Sequence, residues 1–126
     1  MVAFVVPDAI GKRMAGPAIR AIELARQVAT VAEVRLVARH APESVPSDLD
    51  VRVAGSDAAA LRRAIDGVDV LVAFGGVLTE HPWLAQTDLH IVADAYDPAP
   101  LEALLQHGHE PMRMQWDKQV AAQAVL

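Results

Sequence analysis

The chain has 126 residues and a formal charge of −5, from eleven basic and sixteen acidic residues. The acidic balance argues against a general nucleic-acid surface, which needs an excess of Lys and Arg. A hydrophobic content of 53% excludes disorder, and the absence of cysteine excludes a disulfide framework. We therefore expect one folded domain over residues 1–126, with a core that needs neither disulfide nor structural metal.

Five short segments are predicted as strands, and the first and fourth are nearly all apolar, which is typical of strands buried on both faces. They cover residues 2–6, 33–38, 50–54, 68–74 and 90–93. Helical patterns begin at Pro17, at residue 58 behind the capping residue Asp57, at residue 80 behind Thr79, and at residues 100 and 112. This alternation predicts a Rossmann-like, three-layer α/β/α fold with a mostly parallel sheet of about five strands.

The first apolar run, Val2–Val6, is followed at once by Pro7 and Asp8. It is too short for a signal peptide or a membrane-spanning segment. We therefore expect a cytoplasmic protein.

The loop after the first strand contains Gly11, Lys12, Arg13 and Gly16. In parallel α/β sheets, ligands bind beyond the carboxyl ends of the strands, where this loop is expected. Its cations, its glycines and the following helix N-terminus suit an anion. However, the loop lacks the Lys-Ser/Thr of a P-loop and is not a G-x-G-x-x-G motif. The spacing is equally compatible with a phosphate-facing loop and a plain turn.

Polar and glycine residues also follow the fourth and fifth predicted strands. Gly75 and Gly76 could line a cleft or simply supply turn geometry. Asp94, Tyr96 and Asp97 offer two carboxylates and a phenol, which can bind the hydroxyls of a sugar or polyol, although Asp97 also suits a helix cap. Two carboxylates without a third ligand make a poor metal site, so no metal is predicted.

Three segments together resemble one family. They are GPAIRAIELARQVATVAEVRLVAR (residues 16–39), GVDVLVAFGG (residues 67–76) and VADAYDPAPLEALLQH (residues 92–107). They are similar to the N-terminal domain of GT4-type glycosyltransferases of the two-domain GT-B fold, and the third segment is the most specific. The resemblance covers essentially all of residues 1–126.

Such enzymes transfer a sugar from a nucleotide-sugar donor to an acceptor, usually without a metal or another cofactor. The resemblance implies that the loop of Gly11, Lys12, Arg13 and Gly16 faces the donor phosphates. It also implies an acceptor site for a sugar or glycoconjugate, formed by Gly75, Gly76, Asp94, Tyr96 and Asp97. No catalytic base is assigned.

The donor-binding C-terminal domain of the family lies outside these 126 residues. We therefore expect a truncated acceptor-side domain that is inactive alone and whose longer parent is cytoplasmic or membrane-peripheral. The alternative is a non-catalytic Rossmann-like binding module that self-associates through the apolar residues Val120, Val125 and Leu126.

Overall fold

The computed structural model of the protein describes residues 1–95, 99–124 and 126. Its strands are β1 (Val2–Val6), β2 (Val34–Ala38), β3 (Asp50–Val53), β4 (Val70–Ala73) and β5 (His90–Ala93). Its α-helices are α1 (Gly16–Val28), α2 (Ala58–Ala64), α3 (Gly75–Glu80), α4 (Ala99–His107) and α5 (His109–Gln123), with a 3₁₀ helix at Pro82–Gln86.

The five strands form one parallel sheet in the order β3-β2-β1-β4-β5. In the register of the central strand, Val2 lies opposite Val34 of β2 on one side and Val70 of β4 on the other. Helices flank the sheet, as in Rossmann-like three-layer folds. The predicted fold class is therefore confirmed.

The chain divides into two compact units. The first consists of Met1–Ala73 and Asp88–Val92, which include four whole strands, most of β5, and the helices α1 and α2. The second consists of Phe74–Thr87 and Ala93–Leu126, which include α3, the 3₁₀ helix, α4 and α5.

The core of the first unit lies between α1 and one face of the sheet. Its buried members are Phe4, Val6, Ile10, Ala18, Ala21, Ile22, Ala25, Leu36 and Ala38. The helix contributes three alanines and Ile22, and the spacing of these residues places them on one face of α1. The strands contribute alternate residues because successive side chains point to opposite faces of a sheet.

Arg35 connects the opposite face of the sheet to α2. Because its neighbour Leu36 belongs to the α1 core, Arg35 points the other way. Its Nη1 donates to the carbonyls of Ala64 (2.9 Å) and Asp66 (3.0 Å), at the end of α2. Its Nε donates to the Asp50 carboxylate of β3 at 2.9 Å. One cation thus joins β2, β3 and the negative end of a helix dipole.

The second unit packs α3 against α5. The buried side chains of these two helices are Val77, Leu78 and Ala122. The Thr79 hydroxyl lies 3.0 Å from the Gly75 carbonyl oxygen and 3.2 Å from that of Lys118, so it can donate to either. This contact joins residues 39 positions apart in the chain.

Two predicted helix starts are wrong by more than one residue. Thr79 does not cap a helix: it lies inside α3, which begins at Gly75, and its hydroxyl bonds back to the preceding turn. The last helix begins at His109 rather than residue 112, directly after Gly108 with φ of 90°. Glycine tolerates this left-handed backbone, and the reversal there lets α4 and α5 form a helical hairpin.

Over the part of the chain that the structure describes, no helix is long and apolar enough to cross a lipid bilayer.

Candidate ligand-binding site

The loop between β1 and α1, the opening loop, is held in place by Ile10 rather than by its charged residues. Ile10 is buried in the α1 core, and its carbonyl accepts the backbone N–H of Glu43 at 2.9 Å. Lys12 and Arg13 are exposed, and neither side chain has an ion-pair partner within the described ranges. Two solvated cations therefore lie in the loop between β1 and α1.

Gly16 is the first residue of α1, one position earlier than predicted. The helix has no side-chain cap at Ala15 and no acidic residue in its first turn. A Cβ on Gly16 would meet no atom within 4 Å, so packing does not require glycine at this position. The exposed N–H groups and helix dipole remain favourable for a negative group.

Gly11 is packed against a carboxylate. A Cβ at Gly11 would lie 2.5 Å from Oε2 of Glu43 and 3.1 Å from its Cβ, so a larger residue would push this side chain away. The negative charge of Glu43 opposes the attraction that Lys12, Arg13 and the helix N-terminus exert on an anion. The predicted phosphate-facing loop thus contains an acidic contact that its own sequence does not reveal.

A cavity of about 420 Å³ lies within the second unit. Its walls come from three chain segments: the residues after β4, the end of β5 with the residues that follow it, and the second half of α5 together with Leu126. The lining residues are Phe74, Gly75, Gly76, Leu78, Ala93, Asp94, Ala95, Gln115, Lys118, Gln119, Ala122, Gln123 and Leu126. Its volume falls within the range of about 300–1,000 Å³ that is common for small-molecule sites.

Two glycines shape one wall of this cavity. A Cβ on Gly75 would make an ordinary contact with Ala122 at 3.8 Å, whereas a Cβ on Gly76 would lie 2.7 Å from the Phe74 ring. Gly76 is therefore required for the position of Phe74, and Gly75 is not required in the same way. The aromatic ring and Leu78 supply apolar surface to the cavity.

A polar face of α5 also lines the cavity. Gln115, Gln119 and Gln123 recur every fourth residue and therefore lie on one side of the helix. Each amide offers two donors and one acceptor oxygen. Together with Lys118 and Asp94, these groups give a mainly apolar cavity a set of hydrogen-bonding positions suited to hydroxyl groups.

The structure brings together three of the five residues predicted for the acceptor site. Gly75, Gly76 and Asp94 line the same cavity, while Tyr96 and Asp97 lie outside the described residues. The predicted cap at Asp97 lies outside them as well. The loop of Gly11, Lys12, Arg13 and Gly16 belongs to the first unit.

The sequence prediction missed the residues that α5 contributes. Glutamines at positions 115, 119 and 123 were a usable signal, since this spacing marks one face of a helix. Their role emerges only from the contact of α5 with α3, which includes the bond from Thr79 to the Lys118 carbonyl.

Among the residues that the structure describes, no group of three or more His, Asp or Glu side chains could hold a metal ion. Comparison with known proteins gave no match: no family model fits the chain, and no curated protein or solved structure is significantly similar to it. The function proposed below therefore depends on the quoted sequence segments and on the geometry of the cavity.

Proposed function

We propose that the chain is the N-terminal, acceptor-side part of a GT-B glycosyltransferase, which transfers a sugar from a nucleotide-sugar donor to a hydroxylated acceptor. The observation that carries this proposal is the cavity. It combines Gly75, Gly76 and Asp94, the acceptor-site residues implied by the family resemblance, with three glutamine amides on one helix face.

The chemistry of the lining suits a sugar or polyol. The amides of Gln115, Gln119 and Gln123 can donate to and accept from ligand hydroxyls, and the Asp94 carboxylate can accept from them. Phe74 and Leu78 offer apolar surface for the C–H faces of a sugar ring. These residues bind and orient an acceptor in the proposal, and none of them is assigned as the catalytic base.

The loop of Gly11, Lys12, Arg13 and Gly16 has a weaker role in the proposal. Its free cations and the α1 N-terminus favour the donor diphosphate, while Glu43 opposes it. We therefore propose that the donor nucleotide is gripped mainly by a separate C-terminal domain, and that residues 1–126 alone are inactive. A cytoplasmic location, or a membrane-peripheral one for the longer parent, is part of the same proposal.

Amide NMR titration tests the acceptor site. With methyl glycosides or myo-inositol as probe, we expect shifts to concentrate at Gly75, Gly76, Asp94 and the amides of residues 115–123. Replacing Gln119 by Ala removes one amide partner, so we expect the dissociation constant to rise about threefold to tenfold. The matched control is Gln27→Ala on α1, which leaves the cavity unchanged and should leave the dissociation constant unchanged.

Nucleotide sugars added in the same experiment probe the opening loop. Weak shifts confined to residues 11–16 are expected. If neither glycosides nor polyols move any amide of the cavity, the acceptor-site proposal is wrong.

The second candidate function is a non-catalytic, self-associating module. It is favoured by the apolar side chains that α4 and α5 leave exposed: Leu101, Leu104, Leu105, Met114, Trp116 and Val120. Of the three residues first predicted for this role, Val120 and Leu126 are exposed, Leu126 also lines the cavity, and Val125 lies outside the described residues.

A further inference from the structure

The cavity contains one cation, Lys118, among the described residues that line it. Its side chain is exposed and has no hydrogen-bond or ion-pair partner within residues 1–95, 99–124 and 126. An ammonium group beside a small-molecule cavity that is not already neutralised favours a ligand with negative charge.

Asp94 is the one described acidic side chain in the same lining, and it differs from Lys118 in two respects. It is half-buried, and it already has an interaction with another group. Asp94 is therefore the more buried of the two charged residues, and Lys118 is the one that lies exposed.

The backbone at Lys118 is held in place. Its carbonyl oxygen lies 3.2 Å from the Thr79 hydroxyl and is one of the two carbonyls to which that hydroxyl can donate, at the contact between α5 and α3. Lys118 lies three residues after Gln115 and one before Gln119 on the same helix, so its ammonium is within reach of the glutamine face. The span from Gln115 to Gln123 is eight residues, or about 12 Å along the helix, enough for a sugar ring and one substituent.

We propose that the ligand of this cavity is an anionic polyhydroxyl compound, such as a sugar phosphate or a sugar acid, with its anionic group on Lys118 and its hydroxyls on Gln115, Gln119 and Gln123. The inference rests on the proposed function, since the acceptor cavity is the same. It adds the charge of the acceptor and names Lys118 as the residue that selects for it.

The chain has two lysines, Lys12 and Lys118, which makes a direct measurement possible. Reductive ¹³C-dimethylation gives NMR signals only from these two amines and the N-terminal amine. Glucose, glucose 6-phosphate, glucuronate and inorganic phosphate serve as separate probes. We expect glucose 6-phosphate or glucuronate to move the Lys118 signal at lower concentration than glucose does. Comparing these two probes distinguishes a phosphate from a carboxylate as the bound anion.

Substitution tests the role of the charge. In Lys118→Gln we expect the dissociation constant for the anionic sugar to rise about threefold to tenfold, with that for glucose nearly unchanged, because an exposed charge contributes modestly. Lys118→Arg keeps the charge and should restore most of the affinity. Arg113→Gln is the matched control, since it removes a cation from an exposed position of α5 that does not line the cavity.

The outcomes separate this inference from the proposed function. If glucose and glucose 6-phosphate bind equally at the amides of Gly75 and Asp94, the charge selection is wrong and the acceptor site stands. If inorganic phosphate and the anionic sugar bind equally well through Lys118 while glucose does not bind, the anion site stands and the polyol site is wrong. If Lys118→Gln and Arg113→Gln weaken anion binding to the same extent, Lys118 has no special role.

Discussion

Gly76 and Phe74 determine the shape of one wall of the cavity through a single close contact. A Cβ at position 76 would lie 2.7 Å from the Phe74 ring, a separation that requires the ring to move. At position 75 the corresponding separation from Ala122 is 3.8 Å, which is ordinary van der Waals contact. The two adjacent glycines therefore differ: a side chain at position 76 would displace the Phe74 ring, whereas one at position 75 would not displace its neighbour.

Replacing each glycine by alanine tests this difference. Alanine has the better helix propensity, so Gly75→Ala should keep or slightly raise the free energy of unfolding. Gly76→Ala displaces the Phe74 ring and should be less stable than Gly75→Ala by about 1–3 kcal/mol. Urea denaturation measures both, and the chemical shifts of the Phe74 ring report its movement. Equal stabilities with an unmoved ring would contradict the close contact.

At the scale of elements, the strands and the first helix were the most predictable parts. The bounds of β1 and β5 were predicted as observed because each is a short apolar run with turn residues beside it. The cap at Asp57 is confirmed, since its carboxylate accepts the N–H of Ala60 at 2.8 Å. These features depend on neighbours in sequence, which a single sequence displays.

The start of α3 and the polar wall of the cavity were not predictable in the same way. A Gly-Gly pair is a poor helix former, so residues 75 and 76 indicated a break. In the structure α3 begins there and is tied to α5 through Thr79 and the Lys118 carbonyl. Contacts between segments this far apart have no local signal, and the same holds for the glutamines of α5.

Arg35 provides the element-scale test, because it joins β2 to both β3 and the end of α2. Its side chain is 12% exposed and donates to two carbonyls and one carboxylate. We expect Arg35→Met to lower the free energy of unfolding by about 2–3 kcal/mol at neutral pH. Arg52→Met is the matched control: Arg52 is 57% exposed, bonds the same Asp50 carboxylate, and should cost less than about 1 kcal/mol.

The cost of Arg35→Met should depend on pH. The hydrogen bond from Arg35, reinforced by Arg52, holds the pKa of Asp50 below its ordinary value of 3.8. A carboxyl group whose pKa is lowered by folding stabilises the fold fully above 3.8 and loses this contribution as the pH falls through the folded-state pKa. The difference between wild type and Arg35→Met should therefore shrink below pH 3.8. A difference that stays constant down to pH 2 would contradict this account.

At the scale of the whole molecule, exposed apolar surface is unevenly distributed. Seven of the twelve exposed large apolar side chains among the described residues lie in α4, α5 or the following Leu126. Within α4, Leu101, Leu104 and Leu105 share one face of the helix. Self-association of two copies of the chain would cover such a surface, although the net charge of −5 opposes close approach at low salt.

Light scattering over a range of protein concentrations tests self-association. The second candidate function predicts a mass that rises from 13.5 kDa with concentration, and more strongly in high salt. Replacing Leu101 and Leu105 by Gln should abolish that rise, whereas replacing Val31 by Gln, an exposed residue outside α4 and α5, should not. A monomeric mass at all concentrations would contradict self-association and would leave the acceptor-site proposal as the remaining candidate.

The packing of Glu43 against Gly11 has a further consequence for the opening loop. The carboxylate acts as an internal competitor, because it keeps a negative group of the same chain beside the backbone that an external anion would approach. A phosphate that approached Gly11 from this side would meet the Glu43 carboxylate, and the repulsion between the two negative groups would lower its affinity. Glu43 thus crowds position 11 and, in our proposal, also weakens the binding of an anion to this loop.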